Sequence, residues 1–142
     1  MVQSKRLKPV HRVAESREQT AAREMGDSKR YVHQQEERLE QLRSYHAEYL
    51  DRFHNAARQG MSAMQLQEYR AFLAKLDRAI REQEGVIADG RDVHQVNKDN
   101  WQQKHVRTQA LGNVIDRYKQ AESQAQDKRE QNEVDDRSQR KR

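Results

Sequence analysis

Apolar residues recur along the second half of the chain at alternating steps of three and four. Sixteen such positions run from Leu66 to Tyr118 without a slip, and ten of them hold large apolar or aromatic side chains. A repeat of this kind is typical of a left-handed coiled coil, in which two helices bury a narrow stripe against each other. We call this buried stripe the seam. The pattern therefore predicts one long helix across this half of the chain.

The first half carries a weaker copy of the same pattern. One heptad column holds Met25, Val32, Leu39, His46 and Phe53, and the other holds Ser28, Gln35, Leu42, Tyr49 and Ala56. Pro9 fits the first turn of such a helix, where a missing N–H costs nothing. We therefore expect a second long helix in the first half of the chain, before the pattern that begins at Leu66.

Three local signals separate the two halves. Gly60 can end a helix in the left-handed conformation. Ser62 and Gln65 have the spacing of a capping box, and Met61 and Leu66 have the spacing of a hydrophobic staple. Together these signals predict a tight turn at residues 59–62.

A short connection makes two long helices antiparallel. We expect helices at 8–59 and from 63 to about 128, with residue i opposite roughly 123 − i. Phe53 then meets Tyr69, and Val32 meets the small Gly90. Large side chains facing small ones allow the two helices to pack closely.

The predicted fold class is all-α: a long antiparallel two-helix coiled coil, an α-hairpin, with frayed or disordered termini. Residues 1–8 form a basic N-terminal segment, residues 9–128 the hairpin, and residues 129–142 a disordered charged tail. The tail has almost no apolar residue at a seam position, so it lacks what holds a helix in place. We expect a monomeric hairpin in isolation.

Polar residues interrupt the middle of the predicted seam. Gln83, Gly90, His94 and Asn97 face Gln35 and its polar neighbours in the first helix. Buried polar groups can fix the register of a coiled coil, which is the interpretation we favour. The alternative is a hinge, or a region that tightens when a partner binds.

The composition supports a thin seam rather than a thick core. The chain has 142 residues, of which 33% are hydrophobic and 36% charged, with one Pro and no Cys. Basic and acidic residues number 28 and 23, so the net charge of +5 is too small to favour disorder. No apolar stretch approaches the length of a membrane span. We expect a cytoplasmic protein.

No catalytic constellation is visible in the sequence. The six His residues make no H-E-x-x-H pattern, and no phosphate-binding glycine loop occurs. Carboxylates alternate with Arg and Lys, as they do on a solvated helix face. We expect no enzyme activity, no cofactor and no metal, and predict a binding or structural role.

The charge is concentrated towards the chain ends. Residues 1–30 carry eight basic and four acidic side chains, and residues 137–142 carry four basic and none acidic. A hairpin brings both segments to one end, which could dock on an acidic surface or a phosphate. Without basic residues interleaved with aromatic ones, nucleic acid is not the expected partner.

A second apolar stripe runs beside the seam of the second helix. Phe72, Ala79, Val86 and Val93 recur every seven residues. With Leu76 and Gln83 they form a strip that we expect to be partly exposed. Such a strip can mark a partner site, or it can be an edge that the first helix half covers; the pattern leaves both open.

The centre of the chain carries an ordered set of aromatic, aliphatic and polar residues on both sides of the turn. Leu42, Tyr45, Glu48 and Tyr49 precede the turn, and the segment 69–83 follows it with the pattern Y-x2-F-L-x2-L-x2-A-I-x2-Q. Trp101 and Lys104 come later in the same order. This order resembles that of the FliJ family of the bacterial flagellar type III export apparatus, and the specific motifs lie within residues 42–104.

The resemblance implies a stalk-like coiled coil, similar to the gamma subunit of rotary ATPases. It also implies binding to the export ATPase FliI, to the export-gate membrane protein FlhA and to export chaperones, with peripheral association at the inner membrane. The family's gate contact maps onto Phe72, Leu76, Ala79 and Gln83, and we add Val86 from the adjoining stripe. Gln83 stands where the family contact can carry a His, so this position departs from the pattern.

Other functions share these heptads. A related injectisome stalk protein has the same fold and differs in its partners. A generic structural coiled coil, or a basic one that binds nucleic acid, is also compatible with the repeat. Strongly salt-dependent binding would indicate nucleic acid.

Overall fold

The computed structural model describes residues 2–141, and within them the chain forms two helices. Helix α1 spans Gln3–Gln59 and helix α2 spans Ala63–Arg140. Contacts between the two run antiparallel, which confirms the predicted helical hairpin. The ends of the two predicted terminal segments, Met1 and Arg142, lie outside the described residues.

The turn has the geometry that the sequence predicts. Gly60 has a φ of 95°, and its N–H donates to the carbonyl of Ala57. The Gln65 N–H donates to the Ser62 hydroxyl at 3.2 Å, and the Ser62 N–H donates to the Gln65 side-chain oxygen at 3.1 Å. This reciprocal pair is a capping box, and it starts α2 directly after the reversal.

The start of α1 differs from the prediction, because the helix begins at Gln3 rather than near residue 8. A carboxylate from the other helix caps this end: the N–H and hydroxyl of Ser4 both donate to Glu122, at 3.2 and 2.7 Å. Pro9 therefore lies beyond the first turn of α1, where it removes one backbone hydrogen bond.

The end of α2 also differs, because the helix continues past Lys128 to Arg140. Every residue from 123 to 141 is exposed. A helix with no covered face gains nothing from packing, and isolated helical turns are marginal in water. Disorder of residues 129–142 in the absence of a partner stays a prediction.

The seam follows the predicted heptads closely. Of the sixteen positions from Leu66 to Tyr118, fifteen are buried or half-buried, and Tyr118 at 37% exposure is the exception. Both columns of α1 are covered along their predicted lengths. The most deeply buried apolar side chains are small or aliphatic: Ala14, Ala21, Val32, Leu39, Leu76, Ile87 and Ile115.

The structure divides into two compact units. One is the segment Glu24–Lys98, which contains the turn. Its helices are joined by aromatic contacts near the turn, including Phe53 on Tyr69 with ring centroids 5.6 Å apart. Further from the turn the contacts become polar or small, as where Val32 packs against Gly90. Both pairs have the predicted register.

The other unit contains the two ends of the chain, up to Arg23 and from Asp99 onwards. It buries Ala14, Ala21 and Ile115, and polar contacts also join its helices. His105 bonds Glu18 at 2.5 Å and stacks on the Trp101 ring at a centroid distance of 5.0 Å. Gly112 lies against His11, where an added Cβ would come within 3.4 Å of the imidazole.

Candidate docking surface

An aromatic cluster anchors one side of the hairpin near the turn. Phe72 of α2 packs edge-on against Tyr45 of α1, with ring centroids 5.9 Å apart, and also against Tyr49 at 4.3 Å. Tyr49 in turn contacts Tyr69 at 5.3 Å. Phe72 is therefore half-buried by partners from the opposite helix, and part of its ring remains accessible.

Two of the predicted strip residues lie inside the seam, which corrects the expectation of a continuous exposed strip. Leu76 is 7% exposed and Gln83 is 8% exposed. The Gln83 amide donates to the carbonyl and side-chain oxygens of Gln35, at 3.0 and 2.8 Å. Both residues occupy one core heptad column, whose members from Tyr69 to Leu111 are all buried or half-buried.

The remaining strip residues become more exposed along α2. Ala79 is half-buried, Val86 is 36% exposed and Val93 is 56% exposed. Tyr45 and Tyr49 of α1 cover part of Phe72, whereas Val86 and Val93 line a surface that is open to solvent. The accessible part of the strip thus begins at Phe72 and is widest at Val93.

Two tyrosines of α1 extend this surface, and the strip predicted from α2 alone missed them. Tyr45 is 45% exposed beside Phe72, and Tyr31 is 47% exposed beside Gly90. They stand fourteen residues apart, so both fall in one heptad column next to the α1 seam. That spacing, combined with the register of the hairpin, was the signal that could have located them. We call the following set the open flank: Tyr31, Tyr45, Phe72, Ala79, Val86 and Val93.

The open flank contains a groove of about 570 Å³ next to Gly90. Apolar side chains of the flank line it together with carboxylates and small polar groups. The lining residues are Glu24, Asp27, Ser28, Tyr31, Val86, Asp89, Gly90, Val93 and Asn97. Since the groove is open to solvent, a protein segment fits it better than an enclosed small molecule does.

Hydrogen bonds join the two helices in the seam beneath the groove. The Ser28 hydroxyl lies 3.0 Å from His94 Nδ1, and the Asn97 amide donates to the Glu24 carbonyl at 3.3 Å. No buried side-chain nitrogen or oxygen within residues 2–141 lacks a hydrogen-bond partner. The polar seam is thus internally satisfied, as register control requires.

Two more histidines contact the opposite helix. His46 Nε2 lies 3.0 Å from an Asp77 oxygen, and His105 bonds Glu18. The His105 hydrogen bond lowers the pKa of Glu18 below its ordinary value of 4.5. Hydrogen bonds from Ser4 likewise lower the pKa of Glu122. In the described part of the chain, no group of three or more His, Asp or Glu residues could hold a metal ion.

Comparison with known proteins identifies the family. The family model described as "Flagellar FliJ protein" matches residues 3–141. The chain belongs to the FliJ family. This membership confirms the resemblance drawn from the central motifs and extends it over nearly the whole chain. It makes the protein a component of the flagellar export apparatus.

Two curated relatives agree with this assignment. A protein of Salmonella typhi named "Flagellar FliJ protein" is 26% identical over 140 residues, covering 99% of this chain and 95% of its own length. A protein of the same name from Escherichia coli strain K12 is 26% identical over 128 residues, covering 90% and 87%. No solved structure matches the chain. Neither helix is long and apolar enough over the described residues to cross a membrane.

Proposed function

We propose that this FliJ-family chain is a non-enzymatic docking protein that binds the export ATPase FliI and the export gate FlhA. The match of the family model over residues 3–141 carries the proposal. Both named relatives are flagellar, which favours the flagellar apparatus over an injectisome. The chain acts by binding its partners in the state that exports protein, which shifts their equilibrium towards that state.

The open flank is the proposed gate-binding surface. Phe72, Ala79 and Val86 offer accessible apolar area, and exposed apolar surface of this kind is typical of protein contacts. Leu76 and Gln83 contribute differently, because they lie in the seam and hold the flank residues in register. Peripheral association with the inner membrane follows from binding the gate, and the flank is also available to export chaperones.

The gate contact is tested by titrating the cytoplasmic domain of FlhA with the chain in a calorimeter. The variant Ala79→Glu/Val86→Glu places two charges on the flank without touching a deeply buried side chain. We expect at least a tenfold loss of affinity, about 1.4 kcal/mol. Val96→Glu is the matched control, since Val96 is 67% exposed and lies outside the flank. Equal affinity of the double variant and the wild type would refute the gate contact.

The unit that contains the chain ends is the proposed ATPase-binding part. Residues 1–30 carry eight basic and four acidic side chains, and the first helical turns hold Lys5, Arg6 and Lys8. This excess of positive charge suits a negatively charged surface on the ring. The chain raises the rate of ATP hydrolysis by promoting assembly of the ring.

The ATPase contact is tested by measuring ATP hydrolysis by FliI with and without the chain. Reversing the charges of Lys5, Arg6 and Lys8 to Glu should remove most of the stimulation. The matched control changes Arg70, Arg78 and Arg81 to Glu, which are three exposed basic residues of the other unit. This variant should stimulate ATP hydrolysis as the wild type does. No stimulation by the wild-type chain, or equal stimulation by both variants, would count against this contact.

A further inference from the structure

The groove beside Gly90 has a shape that depends on two small residues. Gly90 occupies a seam position, and a Cβ added there would come within 3.2 Å of Val32 Cγ2 and 3.4 Å of the Tyr31 ring. Ser28 lines the same space from α1. Gly90 thus lets α1 approach α2 closely, and with the small Ser28 beside it the surface next to the seam is hollow.

Three of the residues that line the groove are large and apolar, and we call them its floor. Tyr31, Val86 and Val93 are 47, 36 and 56% exposed, although each is a large apolar residue. Three such side chains around one hollow leave contiguous apolar surface in contact with water. Covering that surface would release free energy in proportion to the area buried, so the floor favours an apolar side chain of a partner.

The acidic residues that line the groove, which we call its rim, carry negative charge. Glu24, Asp27 and Asp89 all line it, and no basic residue does. Asp27 is paired with Arg30, one turn along α1. Neither Glu24 nor Asp89 forms an ion pair with a basic side chain within residues 2–141. Two carboxylates beside an apolar floor are thus available to a cationic partner.

We propose that this groove binds a helical protein segment that presents one aliphatic side chain flanked by Lys or Arg. The aliphatic group contacts Tyr31, Val86 and Val93, and the flanking cations pair with Glu24 and Asp89. Complementary charge at the rim sets orientation and specificity, while apolar burial supplies affinity. The groove is part of the open flank and shares Val86 with the proposed gate contact, but the proposal does not depend on which protein supplies the segment.

The proposal is tested with synthetic helical peptides and the isotope-labelled full chain, observed by NMR. The probe peptide carries one Leu with Arg one turn before and one turn after it. One comparison peptide has Glu in place of both Arg residues, and another has Ser in place of Leu. We expect the probe to bind at least tenfold more tightly than either comparison peptide.

The location of binding decides between this groove and general attraction to acidic side chains. We expect the largest shifts at Tyr31, Gly90 and Val93. Val93→Gln and Asp89→Asn should each weaken probe binding at least fivefold. The matched controls Val96→Gln and Asp116→Asn change exposed residues outside the groove and should bind the probe like the wild type.

Several results would overturn the proposal. Absence of probe binding, shifts centred elsewhere, equal binding of the Glu peptide, or unchanged affinity of the two groove variants would each do so. Shifts of the same residues on dilution of the chain without peptide would show that a second copy fills the groove instead.

Discussion

Two stretches of the unit Glu24–Lys98 share one backbone architecture and differ in what fills the seam. Near the turn, the rings of Tyr49, Tyr69 and Phe72 interlock across the two helices. Around Gly90 the seam combines the buried aliphatic residues Val32 and Ile87 with small and polar groups, including the bond between Gln35 and Gln83. The first stretch is joined by aromatic contacts, whereas the second combines aliphatic burial with hydrogen bonds.

The difference teaches how a two-helix protein divides its tasks. Aromatic contacts hold the helices together through the large apolar area that each ring can bury. Hydrogen bonds between buried amides specify register and contribute less to stability. Where residues of the seam are small or polar, as at Gly90 and Ser28, the open flank beside them contains a groove. We therefore expect the free energy of unfolding to depend mainly on the aromatic stretch near the turn. We expect register and partner binding to depend on the stretch around Gly90 and Gln83, which we call the polar stretch.

The largest effect is expected from removing the centre of the aromatic cluster. Tyr49→Ala removes contacts with both Tyr69 and Phe72 and should lower the free energy of unfolding by about 3 kcal/mol. Chemical denaturation followed by circular dichroism measures this change. Met64→Ala is the control, because Met64 is 71% exposed and should cost less than about 0.5 kcal/mol. Similar losses for both variants would remove the special role of the cluster.

The next effect comes from the polar stretch. Gln83→Ala deletes two hydrogen bonds to Gln35 and should cost about 2 kcal/mol. Gln83→Leu should restore most of the stability through apolar burial, but it should broaden the register of the two helices. Spin-label distance distributions across the seam measure that broadening. A narrow distribution for Gln83→Leu would show that register is set elsewhere.

A smaller effect is expected at the turn. Gly60→Ala forces a side chain into a backbone conformation with φ of 95° and should cost about 1 kcal/mol. Gly85→Ala is a matched control within α2, where nothing lies within 4 Å of an added Cβ. That change should stabilise the helix by up to about 1 kcal/mol. If both changes have the same sign in thermal denaturation, the turn does not require Gly60.

The smallest effect concerns acid stability in the unit that contains the chain ends. Because the pKa of Glu18 is lowered by its bond to His105, its contribution is present above pH 4.5 and is lost as the pH falls below that value. Glu18→Gln should cost about 1 kcal/mol or less at pH 7 and nothing near pH 2. The exposed Glu48→Gln serves as control in denaturant titrations across pH. A constant difference between Glu18→Gln and wild type at all pH values would exclude this linkage.

The heptads and the turn could be predicted from sequence because their signals are local. The columns through Leu66 and Val32 and the capping box at Ser62 each depend on residues a few positions apart. The bond between Ser4 and Glu122 joins residues far apart in the chain, so no local pattern indicated that α1 would begin at Gln3.

The open flank was predicted in part for a similar reason. The stripe through Phe72, Ala79 and Val86 was visible along α2. The exposure of Tyr31 and Tyr45 depends on what the other helix places beside them, and so does the burial of Leu76. Burial at the edge of a coiled coil is a property of the pair of helices, which the periodicity of one helix does not specify.

The central claim is that one chain folds back on itself at Gly60 and thereby forms the seam and its open flank. Spin labels at the exposed positions 40 and 82 test it by electron paramagnetic resonance, with labelled chain diluted in unlabelled chain. The hairpin predicts a distance below about 30 Å, since packed helices lie about 8–10 Å apart and each label adds its own reach. A continuous helix through the turn would place the labels about 60 Å apart, and that result would contradict the account.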